Sequence, residues 1–236
     1  MQKVKKKVRC RIRWKVLFLF FIFLFLGLFS FYYVTNLKIK NILIIGNELL
    51  TDNDIILVAN IKNYPKMFKY STRTLKKNIA TLDLVDKVQV KKNLLGELTI
   101  EIEEAKVLFY NRNNGSYVLS NGKEIADGTF TGVPFLINFV PDSIYERLIK
   151  ELSKIDTEAL AMISEIEYSQ NKSGDVVIDD TRFLLRMNDG NQVYINLINI
   201  DRLNLYAVTY TAIPDGVKGI LELDSDNGNV YWHVVE

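Results

Sequence analysis

Leu37-Lys38-Ile39-Lys40-Asn41-Ile42-Leu43-Ile44-Ile45-Gly46-Asn47 is the stretch on which the fold turns. It opens with apolar and polar residues in alternation, the two-residue period of a half-buried strand, and closes on Gly-Asn, a pair that favours a turn. Downstream, Thr51 is placed to cap a helix, with Asp54 three residues on as its capping-box partner and Leu50 and Ile55 at the positions of a hydrophobic staple. That helix is expected to stop before Asn60-Ile61-Lys62-Asn63-Tyr64-Pro65. A second amphipathic helix puts Leu75, Ile79 and Leu82 on one face. Val88-Gln89-Val90 reads as a strand, Asn93 to Glu97 as a turn, and Leu98-Thr99-Ile100-Glu101-Ile102-Glu103 alternates strictly. The predicted order over residues 37–106 is β-α-α-β-β.

Working outward towards residue 1, Val16 to Val34 is apolar and aromatic, interrupted by Gly27 and Ser30. As a helix it is roughly 28 Å long, the thickness of a bilayer's hydrocarbon core. Residues 1–15 form a basic tail in which Lys3, Lys5, Lys6, Lys7, Arg9, Arg11, Arg13 and Lys15 face no acidic residue before Glu48. Such a tail resists translocation, so it is expected to stay cytoplasmic, with residues beyond about 35 outside. Residues 16–34 are therefore expected to be a single transmembrane helix, anchored from Val16 through Gly27 to Val34, with Tyr32 and Tyr33 in an interfacial belt. A cleaved signal peptide would have a shorter apolar region and an A-x-A-like site, and Phe31-Tyr32-Tyr33-Val34-Thr35 offers none. The chain has 30 basic and 28 acidic residues; without the eight tail cations, 22 basic residues face 28 acidic ones. That acidic remainder argues against a nucleic-acid-binding role for the tail. Cys10, the only cysteine, lies in the tail as a candidate acylation site, so the exported part must fold without disulfides.

Outward in the other direction, residues 107–236 are richer in strands. Ser116–Ser120 and Lys123–Ile125 flank the turn pair Asn121-Gly122, and Pro134–Asn138 is a short apolar strand. Asp142 is read as the cap of a helix with Ile144, Leu148, Leu152 and Ile155 on one face. Ile163–Tyr168, Asp175–Ile178 and Arg182–Met187 are strands, the last pairing with Gln192–Asn196 across Asn188-Asp189-Gly190-Asn191. Leu203, Ala207 and Tyr210 mark a helix. Ile220–Leu223 and Val230–Val235 form a terminal hairpin.

This arrangement resembles the FtsQ/DivIB family of bacterial cell-division proteins. The resemblance rests on Ile42-Leu43-Ile44-Ile45-Gly46-Asn47, the helix start Leu50-Thr51-Asp52-Asn53-Asp54-Ile55, and Leu98-Thr99-Ile100-Glu101-Ile102-Glu103. It continues through Asn121-Gly122, Val133-Pro134, Asp189-Gly190 and Lys218-Gly219-Ile220-Leu221-Glu222-Leu223. The family's hairpin turn usually carries a Pro before its last strand, where this chain has Leu95-Gly96-Glu97. The resemblance implies an α+β chain: one transmembrane helix, a POTRA domain over 37–106, then a mixed α+β domain with an antiparallel strand-rich sheet over 107–236. It also implies a non-enzymatic divisome scaffold whose β domain binds the membrane-anchored FtsB/DivIC–FtsL coiled coil and links it to septal peptidoglycan synthesis. The implied place is the division septum, single-pass in the cell membrane with the N-terminus inside. A POTRA-bearing, membrane-anchored secretion or assembly factor is the alternative, and it would call for several POTRA modules or a β-barrel.

The inventory of reactive groups points the same way. His233 is the single histidine, so metal sites built on His or Cys lack ligands and a Ser-His-Asp triad would have to recruit it. Ser120-Asn121-Gly122-Lys123, Lys172-Ser173-Gly174 and Ser225-Asp226-Asn227 imitate penicillin-binding motifs, but in the wrong order, and the first lies on a hairpin turn rather than one helical turn. Glu103-Glu104 and Asp179-Asp180 read as solvated strand ends, and no phosphate-binding loop is present. No cofactor, small-molecule substrate or nucleic acid is expected. Val230, Tyr231, Trp232 and Val234 are the candidate partner-binding residues, because an edge strand can be extended by a partner's strand and Tyr and Trp are common interface anchors. The residues alone leave open whether one face of that strand simply packs in the core.

Overall fold

A computed structural model describes residues 13–206, 208, 217–225 and 229–234. The basic residues before Arg13, Cys10, Ala207, Tyr210, Asp226, Asn227 and Val235 lie outside the described residues. Two compact units divide the chain, one running through Ala80 and adding Val88–Ile102, the other made of Thr81–Lys87 with Glu103 onward.

The first unit begins with α1, Trp14–Asn36, longer than the apolar run by two residues at each end and with no buried residue. It is the one helix among the described residues long and apolar enough to cross a membrane. Strand β1, Asn41–Ile45, follows, then α2, Asp52–Val58, and α3, Thr72–Ile79. Strands β2, Val85–Lys92, and β3, Glu97–Glu104, complete a three-stranded sheet in the order β1-β3-β2, with β1 parallel to β3. The β-α-α-β-β order is the one the sequence predicts.

Local chemistry explains most of this unit. Thr51 Oγ1 accepts from Asp54 N at 3.2 Å while Thr51 N donates to the Asp54 carboxylate at 3.3 Å, a complete capping box. Ser71 caps α3 by accepting from Thr74 N at 3.0 Å. Leu75 and Ile79 are buried, but α3 ends at Ile79, so Leu82 lies beyond the helix and only half-buried. The opening strand is shorter than its alternation suggests. Leu37 and Ile39 point inward but pair with a loop: Met67 N donates to Leu37 O and Ile39 N to Pro65 O. Lys40 N and Asn41 N then both donate to Gly96 O, at 2.7 and 3.3 Å. That doubled step shifts the alternation by one residue and leaves Leu43 and Ile45 exposed. Gly46, at φ +85°, passes so close to β3 that a Cβ would lie 2.1 Å from Ile102 O. Lys92 Nζ donates to Met67 O at 2.6 Å and also to Tyr70 O, and burial pulls its pKa below the usual lysine value.

The second unit contains β4, Val107–Asn111, β5, Ser116–Leu119, β6, Glu124–Ile125, β7, Phe135–Leu136, α4, Asp142–Leu152, and α5, Thr157–Ala161. Strands β8, Ile163–Tyr168, β9, Asn171–Ser173, β10, Val176–Asp179, β11, Arg182–Met187, and β12, Gln192–Asn196, follow. A 3₁₀ turn spans Ile200–Leu205, and β13, Gly219–Glu222, and β14, Tyr231–Val234, come last. Nine strands form one sheet in the order β14-β13-β12-β11-β8-β7-β4-β5-β6, while β9 and β10 make a separate ribbon. The expected antiparallel character is diluted: β4/β7, β7/β8 and β12/β13 are parallel, each bridged by a longer connection.

Pairing registers define the two faces. Trp232, Leu221, Val193, Leu185, Ile166 and Leu136 align across the sheet, and this row packs with Ile144, Leu148 and Leu152 of α4 and Leu203 of the 3₁₀ turn in one core. The opposite face carries Arg186 on Glu165 and Glu167, at 3.2 and 2.7 Å, and Tyr110 edge-on to Tyr117 and Phe135. Strand β4 has no counterpart in the sequence reading. Its run Val107-Leu108-Phe109-Tyr110 lacks alternation because both Leu108 and Phe109 are fully buried. Asp142 is the first helical residue rather than the cap; Pro141 holds that place without a side-chain bond. Ile155 is buried past the helix end, as the face pattern implies. Helix α5 and strand β9 were likewise not legible from periodicity, being five and three residues long.

Candidate partner-binding edge

Strand β14 terminates the nine-stranded sheet, and no further strand flanks it among the described residues. Its position depends on β13, against which it pairs Gly219↔Val234, Ile220↔His233, Leu221↔Trp232 and Glu222↔Tyr231. Gly219 makes that approach possible: a Cβ there would stand 2.2 Å from His233 O and 2.7 Å from the Trp232 ring.

Distant side chains hold both ends of β13. At its start, the buried Asn191 accepts from Gly219 N at 3.1 Å and donates to Tyr206 Oη at 3.2 Å, and that hydroxyl donates to Asp189 at 2.8 Å. At its end, Arg182 Nε meets Asp224 at 2.6 Å with both side chains largely buried, at 15% and 13% exposure. The Arg182 guanidinium also lies 3.7 Å from the centroid of Tyr194. Arg202 donates to Leu223 O and Ser225 O at 2.7 and 3.1 Å. Asn196 reaches Asp179 at 3.0 Å, and the Thr181 N–H and hydroxyl each donate to the same carboxyl group at 2.7 Å. Burial pushes the Asp179 carboxyl up, yet these donors and Arg182 outweigh it and hold it below the usual carboxylate range.

The four predicted residues separate on this frame. Val230 precedes the strand and is exposed; Tyr231, 42% exposed, faces the same side as Glu222. His233 shares that side, with Nε2 3.9 Å from Glu222 Oε1. Trp232 and Val234 take the other side. Val234 is exposed there, whereas Trp232 is half-buried and packs against the core. Within the strand, Trp232 thus packs inward while Val230, Tyr231 and Val234 are exposed, and Asn229 Nδ2 donates to Tyr231 Oη at 3.3 Å. Arg182, Asn191, Arg202 and Asp224, which set the edge in place, were not singled out by sequence reasoning. No local pattern marks them, since each acts on a segment far along the chain.

The imitations of enzyme motifs are occupied otherwise. Ser120 Oγ accepts from Lys106 N at 3.0 Å, and Lys123 Nζ lies 3.5 Å from Asp83. Ser225 Oγ bonds Asn229 O, and Lys172 and Ser173 are exposed on the β9–β10 ribbon. His233 has a carboxylate neighbour but no nucleophile in contact among the described residues.

Comparison with known proteins bears on the whole chain. Residues 37–105 match the family described as POTRA domain, FtsQ-type. Cell division protein DivIB of Bacillus cytotoxicus is 28% identical over 84% of this chain and 78% of its own length. The DivIB proteins of Brevibacillus brevis and Bacillus subtilis are 26% and 28% identical, each over 79% of this chain and 72% of theirs. Over most of its length the chain is therefore similar to DivIB cell-division proteins, and over residues 37–105 to the FtsQ-type POTRA domain. A solved structure, the major extracytoplasmic domain of DivIB from Geobacillus stearothermophilus, is 20% identical, covering 49% of this chain and 99% of that one, with a TM-score of 0.38. The first module thus matches an FtsQ-type POTRA domain, and α1, directly before it, is the one helix among the described residues long and apolar enough to cross a membrane.

Proposed function

We propose that this chain is a non-enzymatic scaffold of the cell-division machinery. Its β domain, residues 107–236, captures a membrane-anchored coiled-coil partner of the FtsB/DivIC and FtsL type outside the membrane, and so joins it to peptidoglycan synthesis at the septum. The supporting observation is the β14 edge: a terminal strand presenting Val230, Tyr231 and Val234, backed by Trp232 in the core and by the buried Arg182–Asp224 pair. An edge so held is preorganised for strand addition, in which backbone bonds supply affinity and alternate side chains supply choice. The family relationship supplies the process, since the relatives are cell division proteins.

Co-purification of the full chain from detergent-solubilised membranes tests the proposal. A short bitopic coiled-coil protein is expected to be recovered with the intact chain and lost on deletion of residues 229–236 or on Tyr231→Ala. Unchanged recovery after the deletion would remove the edge from the interface.

A further inference from the structure

We infer that the groove where α1 meets the POTRA domain holds the headgroup of an anionic phospholipid from the outer leaflet of the membrane. The inference rests on α1 crossing that membrane and is independent of the partner proposed above.

The groove, of about 330 Å³, has an aromatic half made by Phe29, Tyr32 and Tyr33 and a polar half made by Asn36, Lys38 and Lys40. This is the order a phospholipid presents at the edge of a bilayer, apolar chains below and a charged phosphodiester above. Tyrosines at the end of a membrane span settle at the same level.

The junction has no slack. Leu37, the first residue past α1, is buried in the POTRA domain, as is Ile39, and both are bonded to the Pro65–Met67 loop. Lys66 Nζ donates to Asn36 Oδ1 at 2.9 Å, while Asn36 Nδ2 donates back to Tyr32 O at 2.9 Å. The last turn of the helix is therefore tied to the domain rather than hinged on it. An extended chain advances about 3.3 Å per residue, so Lys38 stands about 7 Å beyond the helix end, and a flexible lysine stem can bend back to the headgroups from there.

Charge favours an anion. Lys87, Lys91 and Lys154 each have a carboxylate within 2.8 Å. Lys38 and Lys40 are exposed and have no ion-pair partner among the described residues. Two ammonium groups beside an aromatic wall at headgroup height complement one phosphodiester, and anionic headgroups attract basic residues at a membrane surface by about fivefold in affinity per lysine.

Full-length chain in nanodiscs of phosphatidylcholine mixed with phosphatidylglycerol provides the test. After transfer to neutral detergent, mass spectrometry reads the lipids retained. The intact chain is expected to retain phosphatidylglycerol above its bulk share, and Lys38→Gln/Lys40→Gln to lose about tenfold or more of that preference. Arg73→Gln/Lys77→Gln, the same loss of charge at exposed positions of α3, is expected to keep it. Equal enrichment in the Lys38/Lys40 variant would overturn the inference, as would equal loss in the control pair. Displacement of the lipid by inorganic phosphate would overturn it too, because the ligand would then be a free anion.

Discussion

The POTRA sheet and the nine-stranded sheet each end in a strand with exposed apolar side chains, Leu43 and Ile45 on β1, Val230, Tyr231 and Val234 at β14. The two edges are set by different means. β1 is positioned by parallel pairing with β3 and by two glycines that let backbones distant in the chain approach closely, Gly46 against Ile102 and Gly96 against Lys38. β14 is positioned by charges and amides that come from β11, the turn between β11 and β12, and the 3₁₀ turn. The β1 edge therefore rests on close backbone approach inside a three-stranded sheet, while the β14 edge rests on side-chain bonds supplied by the rest of a larger sheet. An edge of the second kind can be switched off without unfolding the first module, and that separation can be tested.

The largest effects should come from the glycines. Gly46→Ala is expected to cost the POTRA domain about 3–5 kcal/mol, because a positive φ and a clash with backbone oxygen act together. Gly219→Ala should instead detach β14, and partner recovery with it, leaving the POTRA transition in denaturant unchanged. A shift of both transitions by either variant would break the comparison. Arg182→Ala is next, at about 2–3 kcal/mol, since it leaves Asp224 largely buried without its cation. Hydrogen exchange should rise in β13 and β14 first.

Trp232→Ala and Tyr231→Ala divide anchor from contact. The former is expected to lose about 2 kcal/mol of stability together with binding. The latter should change stability by no more than about 0.5 kcal/mol while weakening partner recovery about tenfold. Equal stability losses would mean that Tyr231 is structural as well. Thr51→Ala should cost the POTRA domain about 1 kcal/mol through loss of the capping box and leave partner capture intact.

The smallest effect concerns pH. A carboxyl held below its ordinary value contributes stability that is complete above the unfolded pKa of about 4 and is lost as pH falls through the depressed folded value. Asp179 is such a group, so Asp179→Asn should flatten the acid limb of unfolding for the second unit and leave that of the POTRA domain alone.

Signals that act within a few residues were legible in the chain: the basic tail and apolar span, the Thr51–Asp54 cap, the strict alternation of β3, the Asn121-Gly122 and Asp189-Gly190 turns. Each is complete within one segment or one hairpin, so no tertiary partner is needed to read it. The structure alone decided the rest. Strand β4 carries no period because a register shift between Val107 and Phe109 brings the adjacent Leu108 and Phe109 into the same core, and the start of β1 changed phase because two N–H groups share the Gly96 carbonyl. Trp232 could not be assigned to core or partner from a strand's alternation, which separates two faces without saying which is covered. Only the placement of Leu221 and the core beneath it settled that, and that placement depends on Arg182, Asn191, Arg202 and Asp224, drawn together from separate parts of the chain.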